Sequence, residues 1–373
     1  MPELPMKRSG RKLTIAAALF VALGSLHAQL PPTGQIVDKV VCEAKPEHSY
    51  ALYLPSRYTP DRRWPILYAF DPVARGRVPV ERFQDAAERY GYIVVGSLNS
   101  RNGPLQVSRD AMQAVWDDTQ RRWSIDPRRI YATGFSGGAR VASLFVLLLP
   151  DAAGLIACGG GFPESKTPKK LPFPFVGIAG TEDFNYPELK QVQRDLDAQK
   201  APNRFEVFDG PHRWCPSPLC TVAIEWLELM AMKTERRAVD PDLVNALLDR
   251  TLSRLHHFES GGDLPALYRA YAAAAVDFQG LKDVADFAQR AAQLKNSKEV
   301  RDAEKRDRQV DERQERLRVE LTQSDAGQQK RIVEDLRKKA AAEEDTVDRR
   351  VARRVLAGYS ISLRERNAIT EKK

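Results

Sequence analysis

RRIYATGFSGGARVA, residues 128–142, decides how the chain is read. A β-prone run at 130–133 breaks sharply at Gly134-Phe135-Ser136-Gly137-Gly138, and a helix-prone run follows through Ala139, Val141 and Ala142. The break fits G-x-S-x-G. Alone, that pattern is common in loops rich in glycine and serine. It carries information when a strand enters it and a helix leaves it, because the turn then lifts the serine clear of the backbone. A serine presented in this way needs a base, an acid and oxyanion donors, so the rest of the chain is read for them.

Outward from the elbow, strand-like runs recur at 36–42, 50–54, 66–70, 92–98, 130–133, 154–158, 173–178 and 205–208. Helix-like runs lie at 80–90, 108–123, 137–149, 187–199 and 221–234. Two leading strands followed by repeated strand and helix predict an α/β fold with a mostly parallel, doubly wound sheet. Runs such as Ile93-Val94-Val95 are apolar throughout, as strands covered on both faces should be. Beyond about residue 233 the strand signals stop. Helical spacing at 244–258, 264–278 and 283–294 predicts an all-α C-terminal region, broken at Gly261-Gly262 and Gly280. The stretch around Tyr268, Tyr271 and Phe278 resembles one degenerate tetratricopeptide-type hairpin, with no second copy at a period of about 34 residues. Residues 297–350 are dense in mixed charge. Ala303, Val310 and Leu317 recur once per heptad but the alternate seam positions are polar, so the spacing predicts a long solvated helix with only a faint coiled-coil signal. The expected division is a leader at 1–28, a sheet domain at 29–233, a helical region at 234–296 and a charged long-helix region at 297–373.

The leader is read from Lys7, Arg8, Arg11 and Lys12, a short apolar run at 13–26, and a small residue, Ala28, suited to cleavage after it. The run is short of the roughly 20 apolar residues that span a bilayer. A secreted or periplasmic protein with no stable transmembrane span is expected. The formal net charge is +8 over 373 residues, but it is spread out: the leader has four bases and one acid, and residues 234–373 have 29 bases and 26 acids. That balance gives no support to a nucleic-acid role. In an oxidising compartment Cys215 and Cys220 could bridge, closing a short loop worth about 2 kcal/mol. Cys42 and Cys158 lie in apolar strand-like runs and read as buried thiols.

In an open α/β sheet the working residues gather at the carboxyl ends of the strands. Ser136 follows one run, Gly180-Thr181-Glu182-Asp183 another, and Asp209-Gly210-Pro211-His212 the next. The chain order serine, acid, histidine is that of α/β-hydrolase sheets. His212 would take the Ser136 proton, and Asp183, with Glu182 as its rival, would fix the imidazole tautomer and offset its charge. Gly137 N–H, at the start of a helix, would be the first oxyanion donor. The second should come from the loop after 66–70, where Pro72 has no N–H and Val73 is the choice. Phe135, Asn99, Arg101, Tyr186 and Trp214 are placed around the cleft as candidate substrate contacts, with simple loop packing as the alternative. Neither metal nor organic cofactor is called for by this chemistry.

These residues resemble the α/β-hydrolase superfamily, in particular secreted bacterial esterases of the feruloyl-esterase, polyhydroxybutyrate-depolymerase and phospholipase/carboxylesterase type. The resemblance covers about residues 36–230 and is carried by Tyr53-Leu54-Pro55, residues 126–131, the elbow, Gly180-Thr181-Glu182-Asp183 and Gly210-Pro211-His212-Arg213-Trp214. It implies an esterase with Ser136, Asp183 and His212 as nucleophile, acid and base. The sequence departs from such enzymes at Phe70-Asp71-Pro72, where they usually carry His-Gly. The segment 159–171 is too short for a large lid, which points to a small or medium ester. Two other readings stay open. One is a serine peptidase for short peptides. The other is a catalytically weak hydrolase-fold scaffold whose C-terminal helices present a surface to a protein partner.

Overall fold

The chain enters the sheet through a β-hairpin, β1 (Ile36–Val41) and β2 (Ser49–Tyr53), paired antiparallel. The computed structural model describes residues 31–370, so the leader and its cleavage after Ala28 lie outside the described residues. β3 (Trp64–Phe70) and α1 (Arg77–Tyr90) follow, then β4 (Ile93–Ser97), α2 (Leu105–Arg122), β5 (Ile125–Phe135), α3 (Gly137–Leu148) and β6 (Gly154–Cys158). β7 (Phe175–Gly180), α4 (Tyr186–Ala198), β8 (Asn203–Phe208) and α5 (Ser217–Lys233) complete the sheet layer. The strand order is β1-β2-β4-β3-β5-β6-β7-β8. β2 runs antiparallel to β4, and every pairing from β4 to β8 is parallel.

The two faces follow from alternation along each strand. Ile66, Tyr68 and Phe70 point to a core closed by α2, α3 and α4, with Met112, Phe145 and Leu189 opposite them. Leu67 points to the other face, where Val80 and Phe83 of α1 and Ile224 and Leu227 of α5 lie. β3 is buried at every position, which explains its unbroken apolar run.

The C-terminal residues form α6 (Pro241–Ser260), α7 (Leu264–Asp277), α8 (Ala285–Lys295), α9 (Lys298–Gln323), α10 (Ala326–Ala340) and α11 (Val347–Thr370). Val244, Leu247, Ala274 and Phe278 join the core beneath α1 and α5. Buried carboxylates fasten the join. Asp277 accepts from Trp226 Nε1 at 2.7 Å and Arg204 Nη2 at 2.6 Å, and Glu228 on α5 pairs with Arg129 and Arg237.

The charged stretch departs from the single long helix expected of it. Asp325 caps a new helix by accepting from Gln328 N–H at 2.9 Å, and a second break follows α10. The three helices bury Leu321, Leu336, Val351 and Val355 against one another, with Val310 and Leu317 packed alongside. The heptad residues are therefore used, but in a folded-back bundle rather than a solvated rod. Among the described residues no helix is long and apolar enough to cross a membrane.

Candidate active site

Ser136 sits between β5 and α3 with φ 54° and ψ −121°, a left-handed conformation for a residue that carries a Cβ. Holding it costs on the order of 1–3 kcal/mol, so the surroundings must fix it. Its N–H donates to Cys158 C=O at 2.8 Å, and its own C=O receives Ala139 N–H at 3.0 Å. The flanking glycines are required by contact: a Cβ on Gly134 would lie 2.1 Å from Gly138 C=O, and one on Gly138 would lie 2.1 Å from Phe70 C=O.

β7 and β8 end beside this elbow. Asp183 is fully buried, and its Oδ1 lies 2.9 Å from His212 Nδ1 while also accepting Asn185 N–H at 2.8 Å. Asp183, and not Glu182, meets the imidazole; the Glu182 carboxylate is taken by Arg353 Nη1 at 2.6 Å. The His212 ring is held between Phe135, 4.5 Å away by centroid, and Phe184, 4.2 Å away.

The meeting point is a glycine run that sequence reading used only to exclude a lid. A Cβ on Gly159 would lie 2.8 Å from Asp183 Oδ2 and 3.1 Å from His212 Cε1; one on Gly160 would lie 2.7 Å from Ser136 C=O. Adjacent glycines after β6 thus face the acid and histidine on one side and the serine on the other. The signal was Gly159-Gly160-Gly161 directly after a strand. Among the described residues Ser136 Oγ makes no hydrogen bond to His212. Such bonds are often long before substrate binds.

The fold is a mostly parallel, doubly wound α/β sheet with a serine elbow between β5 and α3. No family model matches the chain, and no curated protein does. Solved structures it resembles include a ferulic acid esterase, 14% identical over 52% of this chain and 97% of that one, with a TM-score of 0.43. An S-formylglutathione hydrolase from Staphylococcus aureus is 14% identical over 53% of this chain and 98% of that one, at 0.42. An esterase from Pyrobaculum calidifontis is 11% identical over 54% and 87%, at 0.42.

Other expected site residues have different employment. Val73 N–H, expected as the second oxyanion donor, instead donates to Asp71 Oδ1 at 3.0 Å. The reason is Asp71, which is fully buried and gathers Val73 N–H, Arg75 Nε at 3.1 Å and Trp214 Nε1 at 2.8 Å. Trp214 is consequently 5% exposed, behind Phe135, and does not line an open cleft. Phe135 is likewise buried, under the histidine ring. Asn99 is spent on the β1–β2 turn, accepting Ser49 N–H at 2.8 Å and donating to Glu47 C=O at 3.0 Å. Tyr186 lies against Phe205 and under the Arg354 guanidinium, 4.6 Å from its centroid. Arg101 is exposed on the rim, its backbone bridged to Val73.

The cysteines form an unexpected trio. Cys215 Sγ lies 3.3 Å from Cys220 Sγ, as the short loop suggested, but also 3.3 Å from Cys158 Sγ. Hydrogen bonds from both neighbours push the Cys215 thiol well below its usual pKa, and burial pushes Cys158 and Cys220 well above. Among the described residues no group of three or more His, Cys, Asp or Glu side chains is arranged to hold a metal ion. A cavity of about 500 Å³ lies at the opposite, amino ends of the strands, lined by Arg57, Arg62, Arg89, Arg129 and Arg237. Glu225, Glu228, the Arg89 carbonyl and the Trp64 ring already engage those guanidinium groups, which marks it as a structural network.

Proposed function

We propose that the protein is a serine hydrolase that cleaves small or medium carboxylic esters, exported through its N-terminal leader. One observation carries this reading: the His212–Asp183 hydrogen bond sits on the same glycine run that faces the strained elbow of Ser136.

In this mechanism Ser136 Oγ attacks the ester carbonyl carbon as His212 Nε2 takes its proton. Asp183 accepts from Nδ1–H, which leaves Nε2 as the basic nitrogen and offsets the imidazolium that forms. The carbonyl oxygen becomes an oxyanion at the amino end of α3, where Gly137 N–H and the helix dipole stabilise it. The carbon–oxygen bond to the alcohol breaks, His212 returns the proton to the leaving alkoxide, and an acyl-Ser136 remains. Water, deprotonated by His212, releases the acid. Val73 N–H joins as a second donor only by giving up its bond to Asp71. Losing one such donor costs about 3 kcal/mol of transition-state stabilisation in comparable sites.

That commitment of Val73 favours a second reading, a hydrolase fold with weak turnover. Hydrolysis of p-nitrophenyl esters of rising acyl length separates the two. A true esterase gives turnover that Ser136→Ala lowers by about a thousandfold or more. Equal rates in both proteins would reject the esterase.

A further inference from the structure

We infer that the last helix, α11, is part of this site, with Arg354 a positioning residue that holds the Asp183 loop where His212 can use it. The inference rests on the proposed hydrolase reading for its catalytic meaning, and on geometry for the rest.

Residues 349–354 read Arg-Arg-Val-Ala-Arg-Arg. Two arginine pairs four residues apart put four guanidinium groups on one helical face. Their partners belong to the two loops that carry the acid and the base. Arg353 Nη1 donates to Glu182 Oε1 at 2.6 Å, and Arg349 Nη2 lies 3.5 Å from the same oxygen. Arg350 Nη2 reaches Asp209 Oδ1 at 3.4 Å, three residues before His212. Arg354 Nη1 donates to Thr181 C=O at 3.2 Å, and its guanidinium covers Tyr186. Asp183 lies between those two anchor points in the chain. A turn later, a Cβ on Gly358 would come within 3.6 Å of Phe184, whose ring lies tilted against His212. α9 secures the other end of this contact, where Asp311 pairs with Lys190 and Arg194 of α4 at 2.9 and 3.0 Å.

Arg354 differs from its three neighbours. It is 6% exposed and forms no ion pair among the described residues. A cation removed from water costs several kcal/mol unless an opposite charge offsets it. The charged and titratable groups that act on it are Tyr186, Asp311, Arg350 and Asp183. Asp183 in turn has a buried Oδ2 with no hydrogen-bond partner, and Arg354 Nε is buried in the same condition. Arg354 is thus a buried cation whose bond to Thr181 C=O and cover over Tyr186 fix the backbone on either side of Asp183. Removing the guanidinium breaks the bond to Thr181 C=O and frees the backbone on the amino-terminal side of Asp183.

The experiment compares wild type with Arg354→Met, which keeps bulk and loses charge, and with Arg354→Lys. Two readouts are taken on the full chain: p-nitrophenyl acetate kinetics, and the low-field proton resonance of His212 Nδ1–H hydrogen-bonded to Asp183. Near-ultraviolet circular dichroism checks that each variant is folded. The Met variant is expected to lose kcat by ten- to a hundredfold with KM changed less than about twofold, and to lose or shift the low-field proton. The Lys variant is expected to keep both near wild type. A Met variant with wild-type kcat and resonance, or a Lys variant as impaired as Met, overturns the role of the charge. If wild type hydrolyses no ester yet shows the resonance and the Met variant loses it, the hydrolase reading fails and the positioning role stands.

Discussion

Trp214 Nε1 donates to Asp71 Oδ2 at 2.8 Å, tying the loop after β3 to the loop that carries His212. The two residues are far apart in sequence, and neither was expected to bind the other. Asp71 acts as a buried clamp that also holds Val73 N–H and Arg75. Replacing it with alanine leaves the buried indole N–H of Trp214 without its acceptor. Asp71→Ala is expected to lower stability by about 2–3 kcal/mol, read from urea denaturation. A loss below about half a kcal/mol would show that the clamp is dispensable.

Glu188 gives the clearest dependence on pH. Burial alone would raise its pKa, but Arg140, which contacts both of its oxygens at 2.8 Å, together with Gly161 N–H at 2.9 Å and Ser165, holds it below the ordinary value for a glutamate. A carboxyl depressed in the folded state binds protons more readily when unfolded. Its stabilisation is therefore complete above the unfolded pKa and is lost as pH falls through the lower folded value. Urea midpoints measured from about pH 7 down to about pH 3 should fall at the acid end, and Glu188→Gln should flatten that fall while lowering the neutral plateau by about 2 kcal/mol. An unchanged acid limb in the variant would assign the loss to other groups.

Cys215 can bridge only one of its two neighbours. After mild oxidation with a disulfide donor, peptide mapping should find a single bridge that includes Cys215, joined to either Cys220 or Cys158, and Cys42 alkylated only after unfolding. Burial pushes the Cys42 thiol up to about 11, and it is 1% exposed, so it should resist both reagents. A bridge that includes Cys42 would contradict this arrangement.

The glycine run gives a test that does not depend on catalysis. Gly159 has φ 57°, and a Cβ there would press on Asp183, Phe135 and His212 together. Gly159→Ala should therefore cost more than about 1 kcal/mol and disturb the histidine environment. A variant as stable as wild type, with an unaltered His212 resonance, would show that the three groups are less tightly gathered.

The parts of this site that were legible in sequence are those set by local pattern. The strand–glycine–serine–glycine–helix transition shows in fifteen consecutive residues, and the acid and histidine show because each follows an apolar strand. The parts that were not legible depend on contacts between distant segments. Glu182 meets Arg353 across 171 positions, and Trp214 meets Asp71 across 143. Heptad spacing at Val310 and Leu317 pointed to a helix but could not show where the charged stretch turns back. Val73 was chosen as a donor by eliminating Pro72, and that logic could not see that a buried carboxylate would occupy its N–H.

The central claim is that Ser136 is a nucleophile activated by His212. The most direct measurement is intact mass and peptide mapping after reaction with a fluorophosphonate. Wild type should gain one adduct on Ser136, Ser136→Ala none, and His212→Ala one that forms far more slowly. Labelling of Ser136→Ala as readily as wild type, or no labelling of wild type at all, would contradict it.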